Sequence, residues 1–377
     1  MVYREWKDKG IKTSLLGFGC MRLPTDEKGK INNILANELL EKAYKSGVNY
    51  FDNAYMYLDY QDEKFVGEFL SKKPRDSFYV TSKLPVGMIK SLNQAKEIFN
   101  EQLKNLQVEY FDFYLFHCLT KENFKKIKDL KLFDFLLEMK KEGKIHNLGF
   151  SFHDEYKVFE EILNYYSWDF CQIQYNYIDT NFQAGDKGYE LAKKKGIPMV
   201  IMEPVRGGQL CRLSDEIAKP FKDYNNKASL ASWGYRWVAS HDNVKVVLSG
   251  MSSMDQVDDN LNTFSNFEPL NDKENEIIKL VAKNIIELQF NKCTQCAYCQ
   301  PCPNGVSIPR IFKAWNNFGM FKDGEDFVYY MNHIGDKSGP NKCIKCGLCE
   351  SKCPQHISIR SDLQKVLSLY NSLKEQK

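Results

Sequence analysis

Between residues 10 and about 265 a short β-rich apolar run is followed by a longer amphipathic one, and the pair recurs about every 30 residues. This alternation admits few architectures, because each helix carries the chain back to start a strand parallel to the last. The apolar runs fall at 15–20, 50–54, 78–83, 111–117, 147–152, 171–175, 199–203 and 244–249, eight in all. One helical stretch, with Phe133, Leu136, Leu137 and Met139 on one face, ends in Lys140-Lys141-Glu142-Gly143. Cations near the carbonyl end, then a glycine, form a stop signal. Eight units in roughly 255 residues suit a closed (β/α)8 barrel of the TIM type, an α/β fold of about 250 residues, better than an open doubly wound sheet. No strand leads into Gly-x-Gly-x-x-Gly, and the pair Gly17-Phe18-Gly19 reads as a tight turn.

A chain of 377 residues, 43% hydrophobic, buries a sizeable core and is long enough for one large domain plus a small one. We place them at 1–285 and 286–377. The formal charge of +3, from 52 basic and 49 acidic side chains, gives no electrostatic case for nucleic acid or a membrane surface. The first ten residues are too charged for a signal-peptide apolar stretch, and no later segment has the apolar length of a membrane span. A cytoplasmic protein is expected.

In a closed barrel the chemistry gathers at the C-terminal strand ends. There the second run delivers Asp52, with Tyr57 just beyond, the third Lys83 and the fourth His117. Alone, each has an ordinary structural explanation; together on one rim they suit hydride transfer to a carbonyl, whose developing alkoxide needs a proton donor at the oxygen. A phenol has a pKa of about 10, and a neighbouring ammonium favours its anion. Tyr57 is then the acid, Lys83 supplies the charge, Asp52 holds Lys83, and His117 orients the carbonyl oxygen.

On these residues the sequence resembles the aldo-keto reductase family over nearly all of 5–265. The family's Asp, Tyr, Lys and His tetrad is matched by Asp52, Tyr57, Lys83 and His117. Further landmarks follow in order: Gly17-Phe18-Gly19-Cys20-Met21-Arg22, Gly149-Phe150-Ser151, Gln172-Ile173-Gln174-Tyr175-Asn176, and Ser249-Gly250-Met251 with Asn260. The resemblance implies an NAD(P)-dependent oxidoreductase acting on a small carbonyl or alcohol. Ser151 and Gln172 would hold the nicotinamide carboxamide, with Asp52 and Lys83 near the ring. Phosphates and adenosine would lie along 202–210 with Met202, Pro204 and Gly207, and along 250–260 with Gly250, Ser252, Gln256 and Asn260; Met21 and Arg22 are further expected cofactor contacts. Met202 stands where the family commonly stacks a tyrosine. Gln256 and Gly250 replace the cations that grip a 2′-phosphate, so both NADP and NAD remain open.

Of twelve cysteines, eight lie between Cys293 and Cys353; Cys20, Cys118, Cys171 and Cys211 are isolated among apolar neighbours and read as inert buried thiols. The eight form two copies of one pattern, Cys293, Cys296, Cys299 and Cys302 before Pro303, and Cys343, Cys346, Cys349 and Cys353 before Pro354. Three thiolates at two-residue gaps wrap one cubane, while the fourth, before proline, ligates the other. One [4Fe-4S] cluster is therefore assigned to Cys293, Cys296, Cys299 and Cys353, and a second to Cys302, Cys343, Cys346 and Cys349. Structural zinc takes four ligands in paired spacings and leaves no role for a repeated run of four. With a helix expected at 308–318 between the copies, the tail resembles the helical two-cluster ferredoxin-like domains fused to redox enzymes. From Ile286 onward it carries 12 Lys/Arg against 8 Asp/Glu, either an offset to cluster charge or an ordinary solvated surface.

Clusters pass single electrons and nicotinamide passes a hydride. Three arrangements stay open: electrons fed singly to a substrate at the tetrad with ferredoxin or another carrier as donor, mediation by a bound flavin, or clusters that are structural or redox-sensing. The alternative from another class is a non-catalytic electron-transfer or redox-sensing module on a barrel scaffold.

Overall fold

The computed structural model describes residues 1–6 and 9–375. Among these residues ten strands are formed: β1 (Tyr3–Trp6), β2 (Ile11–Ser14), β3 (Leu16–Gly19), β4 (Tyr50–Asp52), β5 (Tyr79–Leu84), β6 (Phe111–Leu119), β7 (Ile145–Phe152), β8 (Phe170–Gln174), β9 (Met199–Met202) and β10 (Val244–Ser249). Strands β3 to β10 close into a parallel barrel in chain order, β10 pairing with both β9 and β3. The eight apolar runs of the sequence are these eight strands. Parallel strands covered on both faces read as continuous apolar segments, and β4 is buried along its whole length.

Inside, Tyr50, Phe113, Leu115, Phe170, Val200, Val246 and Leu248 fill the barrel. Outside, the helix faces and outward strand residues form a second apolar layer through Leu39, Leu40, Ile98, Phe99, Leu136, Ile162 and Phe264. The helix Leu132–Lys141 stops as its sequence signals, with Gly143 at φ +76°. Gly17, however, lies within β3 and makes no turn. A Cβ there would sit 2.5 Å from Val246 Cγ1 and 2.8 Å from Leu248 Cδ2. The side chains of Val246, Leu248 and Tyr50 that fill the barrel leave no room for a Cβ, so the position requires glycine.

The antiparallel β1–β2 hairpin covers the barrel's N-terminal end. Trp6 packs tilted against Phe113 and edge-on to Phe170, with ring centres 4.8 Å and 6.0 Å away, both near the start of their strands. Arg4 donates to the carbonyls of Ala239, His241 and Val244, at the entry to β10. This leaves the opposite end of the barrel for the site.

The chain divides into two compact units, Met1–Cys211 with Asn225–Glu276, and Arg212–Tyr224 with Ile277–Lys377. In the second, helices Ile308–Phe321, Gly324–Ile334 and Ile359–Glu375 pack around Ile311, Phe312, Trp315, Phe327, Met331 and Leu363. Among the described residues no helix is long and apolar enough to cross a membrane.

Candidate functional site

Because all eight barrel strands are parallel, their final residues share one rim. Asp52 ends β4, Lys83 is the penultimate residue of β5, and His117 lies two before the end of β6. Ser151 and Gln172 are register partners on β7 and β8; Met202 ends β9 and Ser249 ends β10.

The four tetrad residues meet. Lys83 has no exposed surface, and its Nζ donates to Asp52 Oδ1 at 2.6 Å, to the Asn53 carbonyl at 2.7 Å and to the Tyr57 hydroxyl at 3.1 Å. The same ammonium lies 4.7 Å from the centre of the Tyr57 ring. His117 closes the group edge-on to Tyr57, with ring centres 5.9 Å apart. Burial opposes the Lys83 charge, but Asp52 and Tyr57 outweigh it and hold the ammonium above its ordinary pKa. Burial pushes Asp52 above the usual carboxylate range while Lys83 pulls the other way, and we read the 2.6 Å contact as an ion pair.

Two pKa directions bear on the chemistry. Burial lowers His117 to about 3, assisted by Lys83 and His153, so its imidazole is neutral at physiological pH. Burial also pushes the Tyr57 phenol up to about 12, and the opposing pull of Lys83 is smaller. The sequence reading had Lys83 set this pKa below its free value; here desolvation of the phenolate wins.

The loop carrying Tyr57 is fixed from behind by residues the sequence reading passed over. Asp62 accepts from the Ala54 backbone N–H at 3.2 Å, and Leu58, Asp59 and Tyr60 all have positive φ. Glu63, also buried, accepts from Ser82 Oγ and from Gln102 Nε2, and Gln102 donates in turn to the Lys83 carbonyl at 3.1 Å. Burial carries Glu63 up to about 7. In sequence these are two acids opening a helix, a pattern that ordinarily means solvated charges near the dipole.

The residues expected to hold the nicotinamide and its nucleotide fall into two groups. Ser151 Oγ accepts from the Cys118 N–H at 2.8 Å, and Gln172 Nε2 donates to Met202 Sδ at 3.7 Å. Gln172 Oε1 and His117 Nδ1 are buried with no hydrogen-bond partner among the described residues. Buried polar atoms left open on the barrel rim fit a bound amide and a bound carbonyl oxygen. Elsewhere on the rim Arg22 is central: its carbonyl accepts from Ser252 Oγ at 2.8 Å, and Gln256 Oε1 accepts from the Ser252 N–H at 2.7 Å. A side chain at Gly250 would meet Arg22 within 3.0 Å, and Gly207 sits beside the guanidinium at φ +62°. Met21 is 54% exposed next to Arg22, whereas Pro204 is buried. Asn260 turns inward, donating to Ser249 Oγ at 2.9 Å, an oxygen shared with Tyr235 OH.

In the second unit the eight tail cysteines line two cavities. One is lined by Cys293, Cys296, Cys299 and Cys353; the other by Cys299, Cys302, Cys343, Cys346 and Cys349. Cys302 lies with the second copy, and Cys299 lines both cavities. None of the twelve cysteines is joined in a disulfide. The repeated run of four cysteines along the chain suits a cubane rather than zinc. Of the isolated cysteines, Cys20 and Cys171 are buried as expected; Cys118 and Cys211 are only partly so.

A closed parallel barrel with a buried Lys–Asp pair, a tyrosine and a neutral histidine on its C-terminal rim defines an oxidoreductase class, and comparison with known proteins agrees. The chain belongs to the Aldo/keto reductase family, whose pattern matches residues 15–283, and a 4Fe-4S dicluster domain matches residues 292–358. The L-galactose dehydrogenase of Arabidopsis thaliana is 23% identical over 291 residues, 71% of this chain and 89% of that protein. Probable aldo-keto reductase 1 of Glycine max is 26% identical over 154 residues, which span only 42% of its length and 38% of this chain. An aldo-keto reductase from Bacillus halodurans, solved in its holo form, superposes with a TM-score of 0.60 at 26% identity, over 74% of this chain and 96% of that one.

Proposed function

We propose that this enzyme moves a hydride between NAD(P) and a small carbonyl or hydroxyl compound, with Tyr57 as the acid/base, in a barrel domain of residues 1–285. The observation that carries the reading is the Lys83 ammonium, which touches both the Asp52 carboxylate and the Tyr57 hydroxyl. When bound, the nicotinamide supplies the hydride. Tyr57, protonated at physiological pH, donates its proton to the substrate oxygen. Lys83 is placed to stabilise the phenolate this leaves, so the smaller pull it exerts in the free site matters most once charge develops. Neutral His117 orients the substrate oxygen by a hydrogen bond, and Asp52 keeps Lys83 charged and fixed.

Gln172 and Ser151 suit the carboxamide, and the residues around Arg22 suit the phosphates. Gln256 offers no cation to a 2′-phosphate, so both NADP and NAD are carried into the test. The eight cysteines of residues 286–377 would hold two [4Fe-4S] clusters, which would supply one-electron transfer with a carrier such as ferredoxin; neither fold nor family adds support for a flavin.

The test is Tyr57→Phe, assayed on a panel of aldehydes and ketones with NADH and NADPH. It is expected to lower kcat by about 10²–10⁴-fold with little change in cofactor binding. A variant that keeps wild-type kcat on substrates the parent reduces would overturn the proposal.

A further inference from the structure

The two cysteine cavities differ in what else lines them. Around Cys293, Cys296, Cys299 and Cys353 the lining is wholly uncharged, from Thr294, Gln295 and Ala297 to Phe312, Pro354 and Ile357. The cavity of Cys302, Cys343, Cys346 and Cys349 is lined in addition by Lys345, Lys352 and Arg360. Arg360 is neutralised by Glu350, its Nη2 2.8 Å from Glu350 Oε2. Lys345, Lys352 and the adjoining Lys342 are exposed and make no ion pair among the described residues. Between them two apolar side chains face solvent, Ile344 at 63% and Leu348 at 51% exposure, beside the exposed Cys346.

An apolar centre ringed by uncompensated charge of one sign is the anatomy of a small transient interface, in which charge steers encounter and apolar contact holds the complex briefly. We propose that the surface over Cys343–Cys349 is the docking site of an acidic one-electron carrier protein. The partner's sign follows from Lys342, Lys345 and Lys352, and its redox role from the thiolates beneath. In the complex one electron leaves the reduced carrier and is accepted at the site of Cys302, Cys343, Cys346 and Cys349; no bond or proton moves. This rests on the reading that the cysteine cavities hold clusters, and it is independent of which carbonyl the barrel reduces.

The experiment is binding of an acidic plant-type [2Fe-2S] ferredoxin to the anaerobically purified full chain by surface plasmon resonance, at low and high salt, with basic cytochrome c as the opposite-charge probe. Ferredoxin should bind at low salt and be released at high salt, while cytochrome c does not bind. The triple variant Lys342→Glu, Lys345→Glu, Lys352→Glu should weaken ferredoxin binding about tenfold or more, and the milder triple change to Gln should fall between. Lys292→Glu, beside the other cysteine set, should bind as wild type. Iron content and carbonyl turnover with nicotinamide report separately on the clusters and on the barrel's chemistry. Undiminished binding by the Glu variant with iron retained overturns the proposal, as does equal loss in Lys292→Glu, salt-independent binding, or a charge swap whose effect is to abolish self-association instead.

Discussion

Lys83 is an ammonium with no exposed surface, and most of the polar architecture around it offsets that burial. Asp52 neutralises it, while the Asn53 carbonyl and the Tyr57 hydroxyl take its remaining protons. Lys83→Met leaves Asp52 buried and uncompensated, and should cost about 3–5 kcal/mol in urea unfolding of the barrel; adding Asp52→Asn should recover part of that loss. Glu63 gives a pH signature. Its pKa is about 7 in the fold against 4.5 ordinarily, so between those values the folded state holds the extra proton and stability falls as pH rises. Glu63→Gln removes that slope: its melting temperature relative to wild type should climb from pH 5 to pH 8, a trend thermal denaturation reads directly. At this scale the tetrad was legible because strand ends and polar outliers coincide. Asp62 and Glu63 were not, because nothing in sequence separates a buried acid at a helix start from a solvated one.

Elements were legible in proportion to their burial. The eight barrel strands stand out because both faces are covered, and their limits differ from the apolar runs by a residue or two at either end. The hairpin escaped notice. Its two strands are four residues each, and Arg4, Glu5 and Lys12 mask the alternation that puts Trp6 inside. Yet Trp6 seals the barrel floor against Phe113 and Phe170. Trp6→Ala should cost about 3–5 kcal/mol in urea unfolding, since the cavity opens beneath a rigid cylinder that cannot collapse to fill it.

At the scale of the whole molecule, two chemistries occupy two compact units, and the cysteine spacing announced the second as plainly as the strand repeat announced the first. Anaerobic protein should carry about eight irons per chain, and Cys346→Ser should lose up to half of them; a zinc-loaded chain with no acid-labile sulfide would contradict the cluster assignment. The relation between the units was beyond sequence reasoning, because motifs specify what each unit is built to hold and not how the two work together. The central claim is that the tetrad directs a hydride, intact, between nicotinamide and substrate. It is tested most directly by supplying NAD(P)H deuterated at the transferred C4 position with a carbonyl the enzyme reduces, in ordinary water, and locating the label in the product. The account predicts deuterium on the former carbonyl carbon in full yield; a solvent-derived hydrogen at that carbon, as single-electron reduction would leave, would contradict it.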